Sequence, residues 1–141
     1  MKRAVMTIVM VSLVGLGPLF GISKAKLVQW NGIITEKDPG VKLQKLEEFQ
    51  KEYGDDKDTL TMRLYTNLTD TAYKLQQYDK AIQYGEKSLT FKDLDTSDKL
   101  QIFLELSNAY YVTKQDIEKA FNLAGSVIDL AKASTDLPMQ P

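Results

Sequence analysis

Two stretches of this 141-residue chain repeat one another, and this internal repeat restricts the fold more than any other feature. Leu68 and Ala81 lie in the first copy, and Leu106 and Ala120 occupy the matching places in the second. The step from leucine to leucine is one position shorter than the step from alanine to alanine, so the second copy has a slightly longer inner loop. A period of roughly 38–39 residues predicts helical hairpins that stack on one another.

Apolar residues recur three or four positions apart along most of the chain, which is the spacing of one face of an α-helix. These stripes begin at Leu43, Leu60, Tyr78, Leu100 and Ile117. Short polar breaks separate them, at Gly54-Asp55-Asp56, Gln76-Gln77, Lys92 to Asp98, and Lys114-Gln115-Asp116. Asp38-Pro39 is a typical helix start, whereas Asn31-Gly32 weakens a helix over residues 27–36. No window alternates at period two, so the sequence predicts an all-α protein.

The sequence predicts four regions. Residues 1–25 form a signal peptide or a membrane anchor helix, and residues 26–56 form a leading helix or helical hairpin, equivalent to half a repeat. Residues 57–133 hold the two repeats, at 57–91 and 96–133, with the first helix of the first repeat running from about Lys57 to Leu75. Residues 134–141 form a C-terminal tail.

Both copies resemble the tetratricopeptide repeat (TPR) family, in which two antiparallel helices, A and B, form each repeat. The resemblance covers about residues 62–133 and rests on a large residue early in helix A, a leucine and a tyrosine later in it, and an alanine in helix B: Tyr65 and Phe103, Leu68 and Leu106, Tyr110, and Ala81 and Ala120. Closely crossing helices need a small side chain at their contact, so we expect both alanines to be buried.

The copies also depart from the family pattern. Thr69 and Ser107 replace a small glycine, Gly85 and Ala124 replace an aromatic residue of helix B, and the terminal proline is absent. The period also exceeds the family's roughly 34 residues. The resemblance therefore implies a short solenoid of stacked antiparallel hairpins, without fixing its superhelical pitch.

The resemblance further implies a groove, lined by the two A helices, that binds a partner. On the first A helix the groove face would hold Arg63, Thr66, Asn67, Asp70, Tyr73 and Lys74, and on the second Gln101, Leu104, Glu105, Asn108 and Tyr111. Polar residues with interleaved tyrosines suit a peptide, because amides and charges pair with its backbone and rings cover its side chains. The alternative is that Tyr73 and Tyr111 only cap the core, with their hydroxyls in water.

Residues 1–25 are laid out like an export signal. Lys2-Arg3 precede an uncharged run from Ala4 to Ile22, and Ser23-Lys24-Ala25 follow. Because the run is close to the roughly 20 residues that a membrane-spanning helix needs, length does not separate a cleaved signal from a retained anchor. The glycines and Pro18 favour cleavage after Ala25, whereas Lys24 and Lys26 blur the charge asymmetry that sets orientation. In both cases we expect the remaining chain in the bacterial periplasm or cell envelope, either free or anchored in the inner membrane.

Composition excludes several classes of function. The chain contains no cysteine and no histidine, which excludes disulfides, a lipoprotein lipid anchor, the common zinc ligand sets and histidine-based catalytic triads. After removal of the leader, 15 basic residues stand against 19 acidic ones, and the net charge of −4 disfavours nucleic acid. Asp55, Asp56 and Asp58 lack the glycine and glutamate of a calcium loop, so we interpret them as a helix start. We predict no cofactor and no metal.

The last helix is too apolar for the solvated end of a repeat stack. It carries Val127, Ile128, Leu130 and Ala131 close together. Because a helical stack has open ends, either this surface packs on a partner or a second copy of the chain, or the leading segment folds back over it. We expect docking onto a partner or a second copy.

Three hypotheses of function result. The first is a non-enzymatic TPR-like adaptor or scaffold of the bacterial envelope, binding a peptide or protein partner. The second is a membrane-anchored structural subunit that uses its repeats only for assembly of a larger complex; it would touch the membrane only through an uncleaved leader. An enzyme is the third, but no spacing of serine, lysine or carboxylate residues singles out a catalytic site.

Overall fold

The structure is a computed structural model that describes residues 22–135. This part of the chain contains six α-helices and no β-strand, which confirms the prediction of an all-α fold for it. The helices are α1 (Lys24–Ile34), α2 (Pro39–Tyr53), α3 (Thr59–Lys74), α4 (Tyr78–Ser88), α5 (Thr96–Thr113) and α6 (Ile117–Thr135). None of them is long and apolar enough to cross a membrane. The proposed leader up to residue 21 lies outside the described residues, as do residues 136–141 of the tail.

Aspartate side chains start four of the helices. Asp38, Asp58, Asp95 and Asp116 each accept a hydrogen bond from the backbone N–H three residues later, at 2.8–3.0 Å. Such a side chain satisfies an unpaired N–H and also lies favourably at the positive end of the helix. The interpretation of Asp58 as a helix start is confirmed. Helix α4 differs, because Gln77 makes no side-chain hydrogen bond at its start.

The first helix of each repeat ends in the left-handed backbone conformation. Gln76 has φ 58° and Lys114 has φ 56°, and the step between them equals the step from Leu68 to Leu106. After α3, the N–H of Gln77 bonds to the carbonyl of Ala72 at 2.9 Å and the N–H of Gln76 to that of Tyr73 at 2.9 Å. These two bonds close the helix in a Schellman motif, a position where glycine is the usual residue.

The helices pack mainly in sequence order. Helices α3 and α4 form one pair and α5 and α6 another, each joined by a three-residue loop that makes the two helices antiparallel. The prediction of a longer inner loop in the second copy is wrong, because α5 extends one position further beyond its leucine than α3 does and takes up the extra residue. Helix α4 packs on α5, α2 on α3 and α1 on α2, and α3 also contacts α5. One core cluster lies in α1–α4, around Phe49, Leu64 and Leu68, and a second lies between the two pairs, around Ile102 and Leu106.

The helices of each pair approach closely because small residues lie between them. Ala81 and Ala120 are both buried, as predicted from their positions in the repeat. Gly85 also lies at a contact, where an added Cβ atom would come within 2.7 Å of Leu106 Cδ2. The side chain of Leu106 therefore occupies the space that any larger residue at position 85 would need.

An ion pair recurs between successive even-numbered helices. Lys80 Nζ of α4 lies 2.6 Å from Glu47 Oε1 of α2, and Lys119 of α6 pairs in the same way with Glu86 of α4. The two lysines, like the two glutamates, are as far apart in sequence as Ala81 and Ala120, a separation that we call the repeat step. Helix α2 thus occupies the place that α4 occupies one repeat later, and the leading segment ends in a helix that packs like the second helix of a repeat.

Helix α1 is held by a buried lysine that the sequence did not single out. Lys26 is 3% exposed, and its Nζ lies 2.7 Å from Asp56 Oδ2 and 2.6 Å from Asp58 Oδ2. Burial alone would lower the pKa of Lys26, but hydrogen bonds and charges of the two aspartates outweigh it, and the pKa is raised. The predicted weak helix over residues 27–36 is therefore a helix that begins at Lys24, with its first turn fixed to the loop before α3.

Three predicted boundaries differ from the structure. The link between the repeats ends at Asp95 rather than Asp98, because the Asp95 side chain starts α5 three residues early. Helix α6 continues to Thr135, so the first two residues of the predicted tail are helical. The first helix of the first repeat begins at Thr59 rather than Lys57, again because an aspartate caps it.

Candidate binding site

Side chains from α3 and α5 meet in a polar row that we call the α3–α5 seam. Its members all belong to the groove predicted from the TPR resemblance: Asp70, Tyr73, Lys74, Gln101, Glu105 and Asn108. These side chains meet because α3 of the first repeat and α5 of the second repeat contact each other directly. The structure therefore brings together six of the nine residues proposed for the site.

Asp70 is the hub of the seam on α3. Its Oδ2 lies 2.7 Å from Lys74 Nζ one turn later, and its Oδ1 accepts a hydrogen bond from Gln101 Nε2 of α5 at 3.0 Å. Lys74 and Gln101 are both exposed. Asp70 thus connects the two repeats while its partners remain accessible to a ligand.

Glu105 is the most deeply placed residue of the seam, with only 8% of its surface exposed. Its Oε1 accepts a hydrogen bond from Gln101 Nε2 at 2.8 Å, whereas its Oε2 is buried without a hydrogen-bond partner among the described residues. Burial, together with the nearby charge of Asp70, raises the pKa of Glu105 from 4.5 to about 7. In its protonated form this carboxyl group can donate a hydrogen bond towards Asp70.

A second contact closes the other end of the seam. Asn108 Nδ2 of α5 donates a hydrogen bond to the hydroxyl of Tyr73 on α3. The ring of Tyr73 packs edge-on against Tyr78 of α4, with 5.8 Å between ring centroids. Tyr73 is partly buried and its hydroxyl is committed to Asn108, so it stabilises the junction between the repeats.

The other three predicted residues lie around the seam without joining it. Asn67 donates a hydrogen bond to the backbone carbonyl of Arg63 at 2.9 Å, one turn earlier on α3. Arg63 lies close enough to Asp95 and Asp98, at the start of α5, to affect their pKa values. Tyr111 is 61% exposed and presents its ring to solvent beyond Asn108.

Two further residues of the predicted groove face behave differently from each other. Thr66 is buried, and its hydroxyl lies 3.4 Å from that of Ser88 on α4, so it belongs to the helix pair rather than to the groove. Leu104 is 53% exposed on α5. The three- and four-residue spacing placed both on the groove side, but only the packing of α4 distinguishes the covered residue from the open one.

The exposed groups of the seam and of the residues beside it are ones that can recognise a ligand. The exposed edge of the seam presents amides and a lysine ammonium, and Tyr111 presents its ring beside it; such groups can bond a polypeptide backbone and cover its side chains. In residues 22–135 no group of three or more acidic, histidine or cysteine side chains is placed to hold a metal ion. Comparison with family models, with curated proteins and with solved structures found no match for this chain.

Proposed function

We propose that the chain is a non-enzymatic protein–protein interaction module, a TPR-like adaptor that binds an extended peptide or protein partner along the α3–α5 seam. The observation that carries the proposal is that α3 and α5 share one row of polar side chains with an accessible edge. Buried members of the row hold the two helices together, and exposed members next to them remain available. A site preorganised in this way costs little entropy when a ligand binds.

Three recurring features support a TPR-like arrangement. The buried alanines and the Glu–Lys pairs between even-numbered helices recur at the repeat step, and the left-handed residues that end α3 and α5 recur one position closer together. Features that recur at nearly one spacing are expected when successive hairpins stack by a similar rotation. We place the module in the bacterial cell envelope, on the basis of the layout of the chain up to Ala25.

Peptide selection tests the binding function. A displayed library of random peptides would be selected against the protein, and the affinity of recovered peptides measured by fluorescence anisotropy. We expect the double variant Gln101→Ala/Tyr111→Ala to bind at least about tenfold more weakly, equivalent to about 1.4 kcal/mol. Both side chains are exposed, but Gln101 also bonds Asp70 and Glu105, so circular dichroism and urea unfolding are measured beside binding to show that the variant keeps its fold.

The matched control truncates an exposed amide and an exposed apolar residue far from the seam. Gln83→Ala/Val28→Ala makes these changes on α4 and α1, and we expect it to bind like the unmodified protein. Equal affinity of both double variants, or selection that recovers no peptide above background, would refute binding along the seam.

A second candidate is a membrane-anchored subunit whose helices serve only assembly, and one observation favours it. Residues on the leader side of the proposed cleavage point take part in the fold: the Ser23 hydroxyl caps α1 through Lys26 N at 3.2 Å, and Ile22 packs against the first core cluster. Intact-mass measurement on protein purified from bacterial membranes decides between the two. A mass that includes residues 1–25 supports the anchored subunit, and a chain that begins at Lys26 contradicts it.

A further inference from the structure

Most of the exposed apolar side chains of the described chain lie on the second helix pair. Of the nine large apolar side chains exposed among residues 22–135, six belong to α5 and α6. Three of them follow one face of α6, and we name this face the α6 stripe: Ile117, Phe121 and Ile128, with Ala124 and Gly125 between them. Phe121 is 67% exposed, whereas Val127 and Leu130, which the sequence suggested as part of this surface, are half-buried.

The matching positions of the first repeat are buried or partly buried. Tyr78 and Ile82 of α4, and Leu89 directly after α4, stand one repeat step before the three apolar members of the stripe. All three contribute to the second core cluster, in which α5 packs over α4. The α6 stripe is therefore an apolar face whose counterpart, one repeat step earlier, packs against another helix.

A further repeat packed on the α6 stripe would lack the ion pair that joins the earlier repeats. Glu47 and Glu86 each bind the lysine of the next even-numbered helix, and the third position of this series, one repeat step after Glu86, is Gly125. A helix stacked there in the same way, including one from a head-to-tail copy, would find no carboxylate. A Cβ atom at position 125 would meet nothing within 4 Å, so the glycine leaves an open shallow place on the helix.

We propose that two copies of the chain pack through their α6 stripes as an antiparallel, two-fold symmetric dimer centred on Ala124 and Gly125. Most protein dimers use such self-complementary contacts, in which the same patch serves on both subunits. The small residues at the centre let two helices approach closely, and the larger apolar side chains lie symmetrically on either side.

The spacing of the stripe fits this symmetry. With the axis between residues 124 and 125, Phe121 of one copy lies beside Ile128 of the partner subunit, and the reverse contact is identical. Glu118, near the start of α6, then faces Lys132 of the partner subunit near the end of its helix. Two such pairs of opposite charge would flank the apolar centre, so charge favours the antiparallel direction over the parallel one.

Single-cysteine crosslinking tests the dimer in the full chain. Because the chain contains no cysteine, Gly125→Cys introduces a unique thiol at the proposed axis. A disulfide forms only where the Cα atoms come within about 7 Å, which the proposed contact provides. We expect oxidation to give a reducible species of twice the chain mass, and the added substitution Phe121→Lys to reduce its yield at least about tenfold, as expected for one disrupted core contact.

Val28→Cys is the control for association that does not use the stripe. It is exposed on α1, at the other end of the order in which the helices pack, so contact through the leader would crosslink it as well. Circular dichroism confirms that each variant keeps its helix content. Equal crosslinking at positions 28 and 125, insensitivity to Phe121→Lys, or a product of another mass would each overturn the dimer. None of these substitutions touches the α3–α5 seam, so the outcome is independent of peptide binding.

Discussion

Helices α4 and α6 carry the same apolar pattern, but only the pattern on α4 is covered. Ile82 of α4 is 7% exposed, and Phe121, at the matching position of α6, is 67% exposed. The difference does not come from the two helices themselves, because each pairs with the helix before it in the same way. It comes from the next element of the chain, because α5 packs onto α4 and no later helix of residues 22–135 packs onto α6.

The apolar pattern of a repeat therefore shows which helix face can pack against another helix, but it does not show whether that face is buried. The first repeat buries its apolar face against α5, whereas the equivalent face of the second repeat is exposed. Substitutions in α4 and α6 should therefore have unequal effects on stability. Of the four predictions below, given from the largest effect to the smallest, three test this and one tests the buried Glu105.

Ile82→Ala and Phe121→Ala are the most direct test. We expect Ile82→Ala to lower the free energy of unfolding by roughly 2–5 kcal/mol, because it leaves a cavity between α4 and α5. Phe121→Ala should change it by less than about 0.5 kcal/mol in dilute solution, where each chain unfolds alone. Urea unfolding followed by circular dichroism measures both, and similar losses would show that the two faces are equally covered.

The raised pKa of Glu105 predicts that the free energy of unfolding decreases from pH 5 to pH 8. The folded chain raises the pKa of this carboxyl group to about 7, so it binds a proton more tightly than the unfolded chain does. Stability is therefore lost as pH rises through the window between pH 4.5 and 7, by at most about 3 kcal/mol. Glu105→Gln, which imitates the neutral acid, should remove this slope and be more stable than the unmodified protein at pH 8.

The control for this titration is Glu86→Gln. Hydrogen bonds from Lys119 and Tyr110 lower the pKa of Glu86, so that residue stays ionised throughout the window. We expect the variant to be less stable at every pH and to keep the slope of the unmodified protein. An unchanged slope in Glu105→Gln would show that another group is responsible.

Gly85→Ala and Gly125→Ala should have opposite signs. An alanine at position 85 would collide with Leu106 and Thr69, and we expect a loss of about 1–3 kcal/mol. An alanine at position 125 has free space and improves helix propensity, so a gain of about 0.5–1 kcal/mol is expected in dilute solution. Thermal unfolding compares the two, and stabilisation by both would mean that Leu106 yields readily.

The starts of α4 and α6 give the smallest effect. Asp116 caps α6, but Gln77 makes no such bond on α4. Gln77→Asp should therefore add about 0.5–1 kcal/mol, and Asp116→Ala should remove a similar amount. Equal melting temperatures for Gln77→Asp and the unmodified protein would show that the backbone at the start of α4 cannot accept a side-chain cap.

Helix positions and the core of the repeats were predictable because they depend on local spacing. The stripes from Leu43 onwards, the breaks between them and the burial of Ala81 and Ala120 all follow from period and side-chain size. The left-handed ends of α3 and α5 were not predictable, because a glutamine and a lysine stand where glycine is usual. Each of the two residues lies in the three-residue loop between the helices of its pair.

The sequence predicted which residues lie at the candidate site, but not how deeply each side chain is buried. Spacing placed Glu105 on the same side as Gln101 and Tyr111, yet it is buried and they are exposed. The reason is that α3 packs against α5, a tertiary contact that residue spacing along one helix does not contain. Lys26 was missed for a similar reason: lysine is rarely buried, and its two aspartates are 30 and 32 residues away.

The ion pairs of Lys26 with Asp56 and Asp58 also affect how the molecule would respond to mechanical load. A pull applied to the chain ahead of Ile22 reaches the first turn of α1, where this buried charge is locked to the loop before α3. The load would therefore be transmitted to the loop before α3, and α1 would not unfold one turn at a time. A tethered copy would resist tension partly through this electrostatic attachment, and high salt would weaken that part less than it weakens an exposed ion pair.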